Sequence, residues 1–231
     1  MGLEESWAYT GYILFFGALW IIFYWKFKPL RGIMLTMSLI CAPLGIVGDY
    51  FYRVDAYNLP NLNGQYWYLY SAACGFVYGG VPAVLYEVCS LVLHAGKTVR
   101  KRLPHHFVPL SVVLFGGAAL MYYTTFMSPY GSGYPSLLVM LIGAIVIVYA
   151  RHDLLLESVG SGLLLTAFAF IYYQILLIFF PQLFINQWFI HNLSGLLPLG
   201  IPLEEYLWHF AWGALIGPAY EYLKGVRLKH P

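Results

Sequence analysis

The residues best suited to chemistry lie together near the carboxyl end of the chain, in the stretch Gly200–His209. Glu205 and His209 are four residues apart, so both would lie on one face of a helix. The adjacent Glu204 would point about 100° away, because an α-helix has 3.6 residues per turn. The pattern predicts two carboxyl groups in different surroundings, so that one can accept structural hydrogen bonds while the other faces a cavity.

Two further acidic residues lie in or beside apolar runs: Glu87, five residues after Pro82, and Asp49, at the end of an earlier run. An ionisable group at membrane depth costs about 2.5 kcal/mol or more, so such residues are functional candidates by default. The other interpretation of Glu204 and Glu205 is that acidic residues complement the positive end of a helix. We predict Glu204, Glu205 and Glu87 as catalytic residues approaching one cavity from opposite sides, with Asp49 as a binding residue.

A carboxyl group in an apolar pocket has a raised pKa and can act as a general acid. Aromatic faces can stabilise a developing carbocation through cation–π attraction. An acid inside an aromatic cavity is what a proton-initiated isoprenoid cyclase or isomerase needs. The binding candidates near the acidic pair are Pro202, Trp188, Tyr206, Trp208 and His209, and for His209 a packing role is the alternative.

The composition places these residues in a membrane. Of 231 residues, 61% are hydrophobic and 10% are charged, against roughly 25% charged in a soluble domain. The three cysteines lie in apolar stretches without metal-ligand spacing. The basic residues form short clusters rather than one basic face, which excludes nucleic acid as a partner.

We predict an all-α, polytopic membrane protein of about seven transmembrane helices, forming a single membrane domain over residues 1–231. The predicted spans lie near Trp7–Trp25, Gly32–Val47, Gly80–Gly96, Phe107–Phe126, Pro135–Ala150, Ser158–Phe180 and Gly200–Leu223. The third span is ambiguous, because Trp67–Val77 is also apolar. It is either one long helix or an interfacial helix followed by a span.

The basic residues orient these spans. Every lysine and arginine except Arg53 falls on one side of the predicted topology, and short cytoplasmic loops collect Lys and Arg. This places the carboxyl terminus in the cytoplasm and the amino terminus outside the cell membrane. The large external loops would be Arg53–Tyr66 and Pro181–Leu199.

The chain also matches itself at an offset of 120 residues, which pairs Gly80-Val81-Pro82 with Gly200-Ile201-Pro202. The tripeptide is predicted to open a helix in both copies, because proline is tolerated near a helix start. The halves would be residues 1–100 and 127–226, in parallel orientation, joined by a linking span over 107–126. Chance matching within a Gly-rich and aromatic-rich chain is the alternative.

Several chemistries lack their motifs in this sequence. It has no histidine-box series for a di-iron site and no Asp-rich pair for Mg²⁺ and diphosphate, so we predict no metal and no cofactor. The last span has no central lysine for a retinal Schiff base, since Lys224 lies at its cytoplasmic end. His209 stands where the Glu-Glu-x-x-x-Arg motif of membrane CAAX-type proteases has arginine.

The segment Gly200–Glu205 resembles the Pro-x-Glu-Glu signature that opens a span in the membrane-integral lycopene cyclase domain family. That family occurs in heterodimeric bacterial, archaeal and fungal carotenoid cyclases. Trp188, the approach over Asn192–Gly200 and the later Glu221 are similar as well. The resemblance covers the carboxyl-terminal third of the chain, and elsewhere it rests on topology and duplication.

This resemblance implies cofactor-free cyclisation of the ψ-ends of lycopene to β- or ε-rings, by protonation of a terminal double bond and later loss of a proton. It marks Pro202, Glu204 and Glu205. The first copy departs from the signature, because Ala83-Val84-Leu85 replaces the acidic pair and Glu87 comes two residues late.

The sequence thus favours an isomerase-type carotenoid or isoprenoid cyclase that takes an apolar isoprenoid or lipid substrate from the membrane, as a homo- or hetero-oligomer. The alternative is a transporter or carrier of a small amphipathic molecule or lipid, since parallel bundles of three, one and three spans also occur in exporters. A closed aromatic pocket would favour isoprenoid chemistry. A continuous polar path to both membrane faces would favour transport.

Overall fold

The computed structural model describes residues 7–58, 64–93, 99–102, 110–127 and 131–229. Within these ranges the chain is mainly α-helical, with a few short 3-10 turns and one small ribbon. The elements are α1 (Trp7–Lys26), α2 (Arg31–Asp55), α3 (Trp67–Leu93), β1 (Val99–Arg102), α4 (Leu110–Met127), α5 (Gly133–Ala150), α6 (Leu155–Phe179), α7 (Leu183–Gln187), α8 (Leu203–Ile216), α9 (Ala219–Lys224) and β2 (Val226–Lys229).

Four described helical segments are long and apolar enough to cross a membrane, which supports the predicted helical membrane protein. They are Lys28–Arg53, Trp67–Leu93, Gly133–Ala150 and His152–Phe179, and Thr10–Lys26 is a shorter apolar helix. The count of seven spans and the orientation of the termini stay predictions. Residues 94–96 of the third predicted span and 107–109 of the fourth lie outside the described residues.

The third predicted span is one long helix, α3, and the prediction that Gly80-Val81-Pro82 opens it is wrong, because Pro82 lies inside the helix. A proline has no N–H, so the carbonyl four residues earlier loses its helical partner. Here that carbonyl belongs to Tyr78, and it accepts a hydrogen bond of 2.8 Å from the Trp212 indole of α8. The helix continues because a neighbouring helix satisfies the freed group.

The last predicted span is interrupted in a similar way. It begins at Leu203 rather than Gly200, and α8 and α9 are separated by Gly217 and Pro218. Pro218 leaves the carbonyl of Ala214 without its usual partner, and the Ser158 hydroxyl of α6 donates to that carbonyl at 2.7 Å.

Glycines allow two pairs of helices to approach closely. A Cβ at Gly45 of α2 would overlap the α3 backbone at Ser71 and Gly75. A Cβ at Gly213 of α8 would lie 2.8 Å from the Cα of Gly162 in α6. Small residues allow such backbone contact between helices in lipid. The result is a bundle in which α3 packs against α2 and α6, and α8 packs against α6 and α5.

The chain segments that follow α2 and α6 lie together at one end of this bundle. Tyr57 and Trp188 form an isolated antiparallel bridge, and the amide of Phe189 donates to the carbonyl of Ala56 at 3.0 Å. These backbone bonds fix the positions of the Tyr57 and Trp188 side chains beside the helix ends.

A ribbon not predicted from the sequence joins two basic segments. Strand β1 pairs antiparallel with β2, with Val99 opposite Lys229 and Arg102 opposite Val226. The pairing satisfies backbone N–H and C=O groups of both segments, and it sets side by side two clusters that the topology had assigned to one side. The duplicated architecture and the division into halves stay predictions.

Candidate functional site

An unusual turn leads into α8 and sets the position of its first residues. Leu199 (φ 55°) and Gly200 (φ 81°) both adopt positive φ, a conformation that costs glycine little. The buried Ile201 then returns to extended backbone. Pro202 caps the helix, and its carbonyl accepts a 3.0 Å hydrogen bond from the amide of Glu205. The two glutamates therefore occupy the first turn of α8, at its positive end.

Glu205 lies among aromatic side chains. Its Oε2 accepts a hydrogen bond of 2.7 Å from the Tyr173 hydroxyl of α6, and its Oε1 accepts one of 2.8 Å from the Trp188 indole. In the described part of the chain, no lysine or arginine forms an ion pair with this carboxyl. Its side chain is 18% exposed, and it lines an internal cavity.

Glu204 is held differently, as its position about 100° around the helix requires. Its Oε1 accepts hydrogen bonds of 2.7 Å from the Tyr134 hydroxyl of α5 and from the amide of Ser194. Its Oε2 is buried and has no hydrogen-bond partner among the described residues. Oε1 of this carboxyl thus links α8 to α5 and to the preceding loop, and Oε2 can accept a further hydrogen bond or a proton.

His209 lies one turn beyond Glu205 and is almost fully buried. Its Nδ1 is 2.5 Å from the carbonyl oxygen of Glu205. A carbonyl only accepts, so Nδ1 carries the proton and Nε2 of the neutral ring is an acceptor. The Tyr12 hydroxyl of α1 therefore donates to Nε2 at 2.8 Å, and Tyr12 is in turn hydrogen-bonded to the Tyr78 hydroxyl. This chain of hydrogen bonds links α8 to α1 and α3.

A third carboxyl group, Asp49 of α2, lines the same cavity. It is buried and accepts a hydrogen bond from the Tyr57 hydroxyl. Burial raises the pKa of Tyr57, and the Asp49 charge raises it further, so this hydroxyl keeps its proton and remains a donor.

The cavity between these groups has a volume of about 110 Å³. A single water needs roughly 10–15 Å³ on the same measure, so the space admits a group of several non-hydrogen atoms. Its walls are mostly apolar and aromatic. Besides the three carboxyl groups, the aromatic residues that line it are Tyr12, Tyr52, Tyr57, Tyr172, Tyr173, Trp188 and Trp208, together with His209.

The Trp208 ring is held on two sides. Its indole N–H donates to the Tyr52 hydroxyl at 3.0 Å. Its ring stacks on Trp212 with centroids 5.6 Å apart and planes 7° from parallel, and Trp212 is bound to the carbonyl of Tyr78. A fixed indole face beside a cavity is suited to a developing positive charge.

The structure brings six of the predicted site residues to this cavity: Asp49, Trp188, Glu204, Glu205, Trp208 and His209. Pro202 positions them without lining the cavity. Tyr206 lies outside it, with its hydroxyl donating to the carbonyl of Pro198 at 3.1 Å.

Glu87 does not line the cavity, contrary to the expectation that it would approach the acidic pair. It lies nine residues beyond Tyr78 on a continuous helix, about 13.5 Å further along the axis. There it is buried beside Tyr86, whose hydroxyl donates to Glu221 at 2.8 Å.

Sequence reasoning missed the hydroxyl groups that bind the polar side chains of the site. Tyr57, Tyr134 and Tyr173 donate to the carboxyl groups, and Tyr12 binds His209. The chain has 21 tyrosines, and no local pattern distinguishes these four. In the part of the chain that the structure describes, no group of three or more His, Cys, Asp or Glu residues is placed to hold a metal ion.

A comparison with protein-family models found a match over residues 131–223 to the family described as lycopene cyclase. The match covers α5, α6 and α8 and includes Glu204, Glu205 and the donors Tyr134, Tyr173 and Trp188. It confirms the resemblance noted at the Pro-x-Glu-Glu segment. Searches of curated proteins and of solved structures found no significant match.

Proposed function

We propose, from the lycopene cyclase match over residues 131–223, that this protein is a membrane-embedded carotenoid or isoprenoid cyclase that closes rings at the ends of an acyclic polyene. The observation that carries the proposal is a carboxyl group, Glu205, held by Tyr173 and Trp188 inside an aromatic cavity. The mostly apolar and aromatic lining suits an apolar substrate.

The proposed reaction is an isomerisation. A carboxyl O–H gives its proton to the terminal carbon–carbon double bond, and the remaining carbon of that bond becomes cationic. The next double bond begins four carbons further along the chain. Its more distant carbon bonds to the cationic carbon and closes the ring, and the positive charge moves to the nearer carbon of that double bond. A neighbouring C–H then loses its proton to a base and a new double bond forms. No atom is gained or lost, so the reaction requires no redox cofactor.

We assign the proton donor to Glu205. It faces the cavity, it contacts no lysine or arginine among the described residues, and its neighbours Tyr173 and Trp188 are aromatic. The indole N–H of Trp188 can only donate, so Oε1 must accept and the acidic proton belongs on Oε2. Protonation therefore reverses the contact between Oε2 and Tyr173, so that Oε2 donates to the Tyr173 hydroxyl until substrate arrives.

We assign the proton acceptor to Glu204. Its Oε1 is occupied by two donors, whereas its buried Oε2 has none among the described residues, and the Glu204 side chain lines the same cavity as Glu205. Adjacent positions on the helix point these two carboxyl groups in different directions, which suits the loss and the uptake of a proton at different substrate carbons.

The cation formed between these steps needs stabilisation without a nucleophile that would trap it. The negative faces of the Trp208 and Trp188 rings attract a cation. The negative charge of Asp49 attracts it from across the cavity. The Tyr57 hydroxyl bonded to Asp49 holds that carboxylate in place. Removal of one electrostatic partner in such a site typically costs 10²–10³-fold in rate.

The test is pigment analysis of lycopene-accumulating cells that express the protein, by chromatography and mass spectrometry. We expect ring-containing product of unchanged mass, and in D₂O one non-exchangeable deuterium per ring. Glu205→Gln keeps the shape of the side chain and removes the acid, so ring formation is expected to fall at least 100-fold, in keeping with general acid catalysis. Glu204→Gln is expected to slow it at least tenfold.

Both variants must reach the membrane in wild-type amounts, measured on a tagged chain by size-exclusion chromatography. Lycopene left unchanged by the well-expressed protein, with or without a co-expressed partner cyclase subunit, would refute the proposed activity. Wild-type rates in Glu205→Gln would instead refute the assignment of the acid.

A further inference from the structure

A second cavity of about 110 Å³ adjoins the first. The two cavities share four lining residues, Asp49, Tyr52, Cys74 and Trp208. The second cavity extends away from Glu204 and Glu205, neither of which lines it, and runs between α2, α3, α4, α5 and α8. It is therefore a continuation of the candidate site in one direction.

Beyond the shared residues the walls of this second cavity are almost entirely apolar. They are formed by side chains such as Leu44, Val113, Met121, Val139, Met140 and Leu215. The cavity is partly open, and Val47 in its wall is 39% exposed. In a membrane, an opening between apolar helices leads to lipid, so this cavity offers a path from the carboxyl groups toward the hydrocarbon.

Two glycines in the wall of this cavity, Gly48 and Gly117, are not required for close contact between helix backbones. Among the described residues, a Cβ at Gly48 of α2 would meet only the Tyr52 ring, at 3.4 Å, and a Cβ at Gly117 of α4 only Val139, at 3.0 Å. Gly45, one turn before Gly48, is different, because a Cβ there would overlap the backbone of α3. Gly48 and Gly117 thus keep the cavity open.

We propose that this second cavity binds the apolar chain of the substrate behind the end that forms the ring, an inference that rests on the proposed function. A polyene has no polar group to hold, so its position depends on the shape of an apolar channel and on contact area. Continuity with the carboxyl-bearing cavity favours one long linear isoprenoid, with its end group beside Glu205 and its chain passing Trp208 toward lipid.

The test compares two substrates with the same acyclic end group: a full-length acyclic carotenoid and a shortened apocarotenoid whose chain ends near Trp208. Gly48→Leu fills the second cavity from α2 and leaves the carboxyl groups unchanged. Its matched control is Gly32→Leu in the same helix, where an added Cβ meets nothing within 4 Å in the part of the chain that the structure describes. Gly117→Leu and its control Gly116→Leu, also open at the Cβ, repeat the test from α4.

We expect Gly48→Leu and Gly117→Leu to lower the ratio of ring formation from the long substrate to that from the short one at least tenfold. Gly32→Leu and Gly116→Leu should keep this ratio within twofold of wild type. An unchanged ratio in both cavity variants overturns the inference, and so does an equal loss with both substrates, because it shows damage to the reacting end or a lipid-filled cavity. A wild-type protein that converts neither substrate refutes the proposed function itself, which separates the two failures. If Gly48→Leu does not fold, Gly117→Leu decides.

Discussion

The same kind of tripeptide occupies two contrasting positions in this protein. Gly80-Val81-Pro82 lies inside the uninterrupted helix α3, whereas Gly200-Ile201-Pro202 forms the entry to α8. In α3, Pro82 frees a carbonyl that binds Trp212. At the entry to α8, Pro202 starts a new helix whose first turn carries Glu204 and Glu205.

The difference comes from the residues before each tripeptide. The ten residues before Gly80 are all helical, although Gly75 and Gly79 are weak helix formers, so the backbone reaches Gly80 without a turn. Before Gly200 the chain has left the helical conformation, and Leu199 and Gly200 adopt positive φ. A proline that follows helical residues frees a carbonyl that can bind a neighbouring helix, whereas a proline that follows non-helical residues can begin a new helix.

The largest expected difference between the two regions is in catalysis. Each tripeptide is followed by an acidic residue within a helix, Glu87 in the first and Glu205 in the second. We expect Glu205→Gln to lower ring formation at least 100-fold, and Glu87→Gln to leave it within twofold, because Glu87 does not line the cavity. The measurement is the amount of cyclised pigment per unit of folded protein. A loss of more than tenfold in Glu87→Gln, with normal folding, would show that both regions contribute to one site.

The sequence predicts the carboxyl groups of this site but not the tyrosines that bind them. Carboxyl groups are costly in apolar surroundings, so Asp49, Glu204 and Glu205 could be selected by residue type alone. Tyr173 and Tyr134 could not, because which tyrosines meet a carboxyl depends on how α5 and α6 pack against α8.

The fold shows the same limit. Apolar length predicts the long helices, and each of them overlaps its predicted span, although α3 begins 13 residues before it. The positive φ of Leu199 and the continuity of α3 through Pro82 depend on tertiary partners, since a freed carbonyl is tolerated only where another group reaches it. The sequence places that group, Trp212, 130 residues away from Pro82, too far for a local pattern to indicate it.

The next difference concerns why each tripeptide begins with glycine. A Cβ at Gly80 would overlap the Trp20 indole and the Ser38 hydroxyl, so Gly80 is required by packing. Gly200 is required by its positive φ, and a Cβ there would lie 3.2 Å from the Leu177 side chain. Asparagine tolerates positive φ. We expect Gly80→Asn to destabilise the protein by about 2–3 kcal/mol and Gly200→Asn by about 1 kcal/mol.

Thermal unfolding in detergent, followed by size-exclusion chromatography, measures both stabilities. Gly200→Val serves as the control, since a β-branched residue at positive φ is strained, and it should be less stable than Gly200→Asn. If Gly200→Asn lost more stability than Gly80→Asn, the assignment of packing to one glycine and backbone conformation to the other would be reversed.

The smallest expected effect tests the role of each proline. Trp212→Phe removes the indole that bonds to the carbonyl of Tyr78, and leaving this buried acceptor without a donor should cost about 1 kcal/mol. Pro82→Ala restores an N–H that can bond to the same carbonyl. In that background Trp212→Phe should therefore cost about 0.5 kcal/mol or less.

The matched background is Pro202→Ala, because Pro202 begins a helix and frees no carbonyl that Trp212 binds. There Trp212→Phe should cost as much as it does in wild type, measured as a double-mutant cycle of unfolding free energies. We expect Trp212 to be energetically coupled to Pro82 and not to Pro202. This result would show that Pro82 stabilises the contact with a neighbouring helix, whereas Pro202 only begins its own helix. Equal costs in all three backgrounds would mean that an N–H at residue 82 does not replace the Trp212 indole as donor to the Tyr78 carbonyl, and that the indole does not compensate for Pro82.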